Sequence, residues 1–221
     1  MKRWLKDNSL SLVMGILFLI FLSGHSLTGQ RLYNEEQLEH GQQKVTYSEY
    51  IGSSDFIESV FENWESEFLQ MGAYVALTVF LYQKGSAESK KLIGREAVDQ
   101  KPKKSSNKYA PWPVRKGGVV LKIYENSLLI SFILLFLMSF FLHAYGGAQA
   151  TTEEYIAHGE DRVVSTAEYM TTSKFWFESF QNWQSEFLAV FSIVVLSIWL
   201  RQKGSPESKP VNSAYSETGS S

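Results

Sequence analysis

Two short stretches of the sequence each place a glutamate four residues before a histidine. They are Glu36 with His40, and Glu154 with His158. Residues four apart share one face of a helix, so each stretch could present a carboxylate and an imidazole together. Carboxylates and imidazoles both bind Zn²⁺ and similar metal ions, and two such pairs could build one symmetric metal site. A local ion pair within each turn explains the same spacing, and both interpretations stay open.

A second set of polar residues recurs at the spacing of one helix face. Asn, Ser and Glu occur at positions i, i+3 and i+4, and a histidine ends each preceding apolar segment. The set is Asn63, Ser66, Glu67 and His25, with the counterparts Asn182, Ser185, Glu186 and His143. Ionisable groups near a membrane tend to face a bundle interior or a water-filled cavity. We expect His25 to contact Glu67, and the second histidine to contact Glu186, as a proton or cation site or as a hydrogen-bonded clasp between helices.

Composition and motifs give little support to an enzyme. Cysteine is absent from the 221 residues, which excludes disulfides and thiolate metal sites. The sequence has no Walker-type glycine-rich loop, Gly-x-Ser-x-Gly elbow or His-Glu-x-x-His motif. We therefore expect a non-enzymatic protein without a cofactor. The basic residues of 84–118 lie in a Pro-containing stretch with little periodicity, so we do not expect nucleic acid as a partner.

The polar residues recur because the chain contains two copies of one unit. Residues 63–69 read NWESEFL and residues 182–188 read NWQSEFL. Residues 83–90 and 202–209 read QKGSAESK and QKGSPESK. Corresponding positions are about 119 residues apart. A repeat of this kind predicts that the two copies fold alike.

Each copy also contains an apolar run without a charged residue, at 10–22 and 128–144. A helix over residues 8–27 is roughly 30 Å long, which matches the hydrocarbon core of a bilayer. The first run is not interpreted as a signal peptide, because its counterpart lies in mid-chain. The later apolar segments are only about 15 residues long, so an aromatic first half at the membrane interface must complete each of those spans.

The sequence therefore predicts an all-α membrane protein with four transmembrane helices and short external helices. The four helices form two pseudo-symmetric hairpins related as a parallel repeat, in a four-helix bundle. The predicted boundaries are a first hairpin at 1–83, a basic linker at 84–118, a second hairpin at 119–203 and a disordered tail at 204–221. Lys and Arg concentrate at the N-terminus, the linker and the start of the tail, which predicts that both termini are cytoplasmic.

Helix-start signals divide the acidic loop of each hairpin. Asn34 and the capping box at 151–154 predict short helices that end at glycines. Further capping boxes at 46–49 and 165–168 predict a second short helix in each loop. Ser54 and Ser173 then begin the long second helix of each copy.

The repeated motifs resemble a known family. Residues 182–188 (NWQSEFL), 201–210 (RQKGSPESKP) and 34–37 (NEEQ) look like a bacterial membrane family catalogued only as a domain of unknown function. The resemblance covers nearly the whole chain apart from 84–118 and the last few residues. It implies a bacterial cytoplasmic membrane and no assigned activity.

These observations favour an assembly or interaction module of the membrane. Aromatic residues at helical spacing, from Phe56 to Phe68 and in the second copy, need a protein surface where they extend beyond lipid. The expected partners are the lipid bilayer and either a second copy of the chain or another membrane protein. The alternatives are a small transporter or proton or cation conduit that uses Glu67, Glu186 and the two histidines before them, and an external metal or ligand sensor built on the two Glu–His turns.

Overall fold

The computed structural model describes residues 2–94 and 96–219, and the regular structure within them is helical throughout. The elements in chain order are α1 (Lys2–Asp7), α2 (Ser9–Glu39), α3 (Tyr47–Ile51), α4 (Ser54–Phe80), a 3-10 turn (Ala97–Asp99), α5 (Trp112–Lys116), α6 (Gly118–Glu125), α7 (Ser127–Ala157), α8 (Thr166–Tyr169) and α9 (Ser173–Leu196). The predicted all-helical class is confirmed for this part of the chain. The predicted starts of the long second helices, Ser54 and Ser173, are confirmed as well.

The two longest helices are α2 and α7, with 31 residues each. At 1.5 Å per residue each is about 46 Å long, which exceeds a hydrocarbon core of roughly 30 Å. Both are long and apolar enough to cross a membrane, and among the described residues these two helices meet that condition. The last turns of each, which carry the Glu–His pairs, extend beyond the apolar run.

The prediction of separate short helices that begin at Asn34 and at residues 151–154 is wrong. Both stretches continue α2 and α7 without a break. Asn34 accepts a hydrogen bond from the backbone N–H of Val45 (2.7 Å). Its counterpart Thr152 accepts one from the N–H of Val164 (2.9 Å). The side chains that resembled helix caps therefore hold the returning chain against the end of the helix.

The next two short helices begin where their capping signals predict, although only the first forms a full capping box. Thr46 and Glu49 form a full capping box at the start of α3. Ser165 accepts a hydrogen bond from the backbone N–H of Glu168 at the start of α8. The Glu168 carboxylate pairs with Arg162 (2.8 Å) instead of closing a second capping bond. Local capping therefore specifies both short helices.

Contacts divide the chain into two compact units. The first unit consists of Met1–Phe61 and Leu142–Phe175, and the second of Glu62–Phe141 and Trp176–Ser221. Each unit draws residues from both copies of the repeat.

The core of the first unit contains the same contact twice. In each copy a buried tyrosine packs on a glycine of the preceding long helix, and a phenylalanine meets the edge of that tyrosine ring. The two sets are Tyr50, Gly29 and Phe56, and Tyr169, Gly147 and Phe175. A side chain at either glycine would overlap the tyrosine ring. The repeat is therefore expressed in the packing as well as in the sequence.

The second unit contains a pair of matched turns where the QKGS motifs occur. The backbone N–H of Gln83 donates to Ser89 Oγ, and that of Gln202 donates to Ser208 Oγ, both at 2.9 Å. Gly85 has a φ of +87°, a backbone conformation that favours glycine. The two copies of this motif therefore form one recurring turn.

Of the tail at 204–221, which is predicted to be disordered, the structure describes residues 204–219, and the last two residues lie outside the described part. The Lys209 side chain is 1% exposed. Its Nζ donates to the carbonyls of Ala214 (3.2 Å), Tyr215 (3.1 Å) and Glu217 (2.8 Å). An ammonium group held by three carbonyls closes this stretch of tail into a loop.

Candidate functional site

An acidic cavity of about 680 Å³ lies in the first unit, lined by the C-terminal turns of α2 and α7 and the first turns of α4. Its charged and imidazole lining residues are Glu36, His40, Asp55, Glu58, Glu153, Glu154, His158 and Lys174. Five carboxylates thus share the cavity wall with one lysine. All four residues predicted to ligate a metal line this one space.

The two histidines lie next to each other at the cavity. The ring centroids of His40 and His158 are 5.5 Å apart, with an angle of 75° between the ring planes. Each residue directly follows its long helix, and the backbone N–H of each donates to the carbonyl of the glutamate four residues earlier. Equivalent positions in the repeat thus place two imidazoles together.

Two acidic residues of the cavity wall, Asp55 and Glu58, are affected by burial and by neighbouring charges. Burial, followed by repulsion from Glu58 and Glu36, raises the pKa of Asp55 from its usual 3.8 to about 6, and Lys174 offsets this in part. The Glu58 carboxylate accepts a hydrogen bond from the Tyr169 hydroxyl (2.8 Å) and lies 3.5 Å from the lysine Nζ. The cavity therefore has an excess of negative charge that favours a bound cation.

The histidines of the second predicted set have separate surroundings. His25 Nε2 lies 3.3 Å from Ser59 Oγ, and its ring lies beside Phe56. His143 is fully buried, and its ring stacks on Phe175 with centroids 4.9 Å apart. Each histidine thus contacts the long second helix of its own copy, α4 for His25 and α9 for His143, within the first unit.

The other members of this set lie in the second unit. Ser66 and Ser185 donate to backbone carbonyls three residues earlier, those of Asn63 and Asn182. Glu67 is exposed, and its charge repels that of half-buried Glu186. The expected contacts of Glu67 and Glu186 with the histidines stay predictions.

The second unit also contains a polar contact that the sequence analysis missed. Glu65 is 0% exposed and accepts hydrogen bonds from the Ser179 hydroxyl (2.8 Å) and the Trp183 indole N–H (3.2 Å). One turn earlier, Glu62 accepts from the Asn182 amide (2.6 Å). Residues 62 and 65 lie one turn apart on a single face of α4, and this spacing was the available signal. These bonds join α4 to α9.

The comparison with protein families gives one match. The family model described as a domain of unknown function, DUF6766, matches residues 1–220. The chain belongs to this family. No curated protein and no solved structure matches the chain. The description of this family states no activity, so a functional proposal depends on the geometry of the chain's own residues.

Proposed function

We propose that this DUF6766 protein is a non-enzymatic, multi-pass protein of the bacterial cytoplasmic membrane that associates with a second copy of itself through α9. In this proposal α2, α4, α7 and α9 are the four spans, and both termini are cytoplasmic. The apolar character of α2 and α7 supports the membrane location.

An exposed seam on α9 carries the proposal. The spacing between its successive residues alternates between four and three, which is the pattern of a helix–helix interface. They are Phe177, Gln181, Gln184, Leu188 and Phe191. The phenylalanines at the two ends are 67% and 62% exposed, and Leu188 is 59% exposed. The helix thus presents a continuous outward face that is exposed among the described residues.

Lipid alone is a poor neighbour for this seam. Gln181 and Gln184 are exposed on it, and wherever such an amide meets hydrocarbon its donors and acceptors have no partners. The equivalent positions on α4 are Glu62 and Glu65, whose carboxylates accept hydrogen bonds from α9. The two helices therefore differ, because the two carboxylates of α4 are bonded within the chain, whereas the two glutamines of α9 are exposed among the described residues.

A second copy of the chain is the partner that fits this seam. Each glutamine amide both donates and accepts hydrogen bonds, so two such amides satisfy each other across a two-fold axis. The exposed members of the seam carry no formal charge, so like charges do not oppose each other when two seams meet. Interhelical amide hydrogen bonds and close packing are the forces that associate helices in membranes.

Cysteine cross-linking in native membranes tests the proposal, because the chain contains no cysteine of its own. Leu188→Cys places one thiol on the seam, and Leu134→Cys places one on α7 at a similar exposure of 61%. We expect mild oxidation to give a covalent dimer for Leu188→Cys and a monomer for Leu134→Cys. Adding Gln181→Ala and Gln184→Ala to the first variant should reduce its dimer yield. Equal yields from the two cysteine variants, or a yield that the alanines do not change, would contradict self-association through α9.

A further inference from the structure

We propose that the acidic cavity is a binding site for a divalent transition metal of the zinc type, with the Nε2 atoms of His40 and His158 as its first two ligands. This site is independent of self-association through α9. It differs from a site for Ca²⁺ or Mg²⁺, which prefer oxygen ligands throughout.

The separation of the two rings fits a shared metal ion. With Zn–N bonds of about 2.0–2.1 Å, two imidazoles on one tetrahedral ion have ring centroids roughly 5 Å apart. The centroids of His40 and His158 are 5.5 Å apart. The separation of the two rings is therefore close to that of two imidazoles on one ion.

The hydrogen bond of His158 leaves the correct nitrogen available. Nδ1 lies 2.8 Å from the carbonyl oxygen of Glu154. A carbonyl only accepts, so Nδ1 donates this bond, and in the neutral ring Nε2 then keeps its lone pair. Metal-binding histidines usually make such a bond from the nitrogen that does not bind the metal, since it fixes the tautomer and the ring orientation. In this chain the peptide backbone supplies that bond.

The cavity wall can complete the coordination and balance the charge. Glu36 and Glu154 lie one turn before the two histidines on the same helices, and both line the cavity with them. A carboxylate from either, or water in a cavity of about 680 Å³, can fill the remaining positions of a tetrahedral ion. Two positive charges would offset part of the excess of five carboxylates over one lysine. Because two equivalent turns supply the histidines, both copies of the repeat are needed for one site.

Calorimetric titration of the full-length protein with Zn²⁺ tests this site, in nanodiscs and after removal of any affinity tag. We expect one Zn²⁺ per chain, and at least about a tenfold weaker affinity in His40→Gln and in His158→Gln, since each removes one ligand. Glu160→Gln is the matched control, because Glu160 is exposed, lies two residues after His158 and does not line the cavity. Its affinity should equal that of the parent protein.

Thermal unfolding shows whether a histidine variant binds Zn²⁺ less tightly because it lacks a ligand or because it is misfolded. Without metal, the two histidine variants should unfold at the same temperature as the parent, because both rings lie at an exposed turn. With Zn²⁺ only the parent and Glu160→Gln should gain stability. Zn²⁺ binding that survives the double variant His40→Gln, His158→Gln, or binding of Ca²⁺ as tight as that of Zn²⁺, would overturn the assignment. Millimolar Zn²⁺ affinity in the parent would also overturn it, as adventitious binding.

Discussion

The two units of this protein use the same repeat differently. In the first unit, equivalent residues make equivalent contacts: Tyr50 on Gly29 matches Tyr169 on Gly147, and the two histidines at the cavity meet each other. In the second unit, the equivalent helices α4 and α9 diverge. Glu65 of α4 is buried and hydrogen-bonded, whereas its counterpart Gln184 on α9 is exposed. Duplication alone therefore does not determine how a contact is used. A single change from carboxylate to amide accompanies a change from an internal contact to an outward face.

The buried carboxylate of Glu65 is the sharpest point of divergence. Glu65→Ala removes the acceptor for the Ser179 hydroxyl and the Trp183 indole, and it leaves a cavity where the side chain was. We expect a loss of about 2–4 kcal/mol in the free energy of unfolding. Tryptophan fluorescence during heating in nanodiscs measures it as a lower midpoint.

The matched control for that variant is Glu67→Ala, two residues further along α4. Glu67 is exposed, so its removal should change the free energy of unfolding by less than about 0.5 kcal/mol. Similar losses in the two variants would show that burial of Glu65 does not stabilise the contact between α4 and α9.

Gly29 and Gly147 test the symmetry of the first unit. Alanine at either position would overlap the ring of Tyr50 or Tyr169, and we expect each to cost about 1–3 kcal/mol. The two losses should be alike, since the contacts are equivalent. Gly24→Ala is the control, because no atom lies within 4 Å of the added methyl group, and it should be neutral or slightly stabilising. A loss at only one of the two positions would break the proposed equivalence.

Local signals predicted part of this architecture. Thr46 and Ser165 open helices because a capping side chain acts on backbone groups only three residues away. Asn34 misled the prediction for the opposite reason. Its bond is to Val45, eleven residues further along the chain, and only the folded loop supplies that partner. The local sequence around Asn34 therefore could not show that α2 continues through this residue.

The candidate sites show the same limit. Both Glu65 and Glu67 follow the repeated tryptophan, but they point to different sides of α4, and only tertiary packing decides that Glu65 is buried. The spacing of Glu36 and His40 placed both residues on one turn. That His40 lies beside His158 depends on how the two copies meet. A repeat predicts that two turns are equivalent and does not predict that they are close.

Acidification should stabilise the protein slightly through Asp55. Burial and the neighbouring Glu58 raise the folded-state pKa to about 6, above the usual 3.8. The stability that comes from protonated Asp55 is fully present below pH 3.8 and is lost as the pH rises through about 6. In the presence of a metal chelator, the unfolding midpoint should therefore increase from pH 7.5 to pH 5.5. Asp55→Asn should flatten that increase, and an equal slope in the variant would show that another group causes it.

The smallest effect is expected from the pair Glu67 and Glu186, which carry like charges close enough to repel each other. Glu67→Gln with Glu186→Gln removes that repulsion, so stability should be unchanged or rise by less than about 0.5 kcal/mol. The same double variant tests the conduit hypothesis, since a proton or cation pathway through these carboxylates requires at least one ionisable group. Unchanged proton and cation flux in proteoliposomes would leave the pair with a surface role only. A loss of flux without a loss of stability would instead support an ion pathway along α4 and α9. The difference between Glu65 and Gln184 would then make the two sides of that pathway unequal in charge.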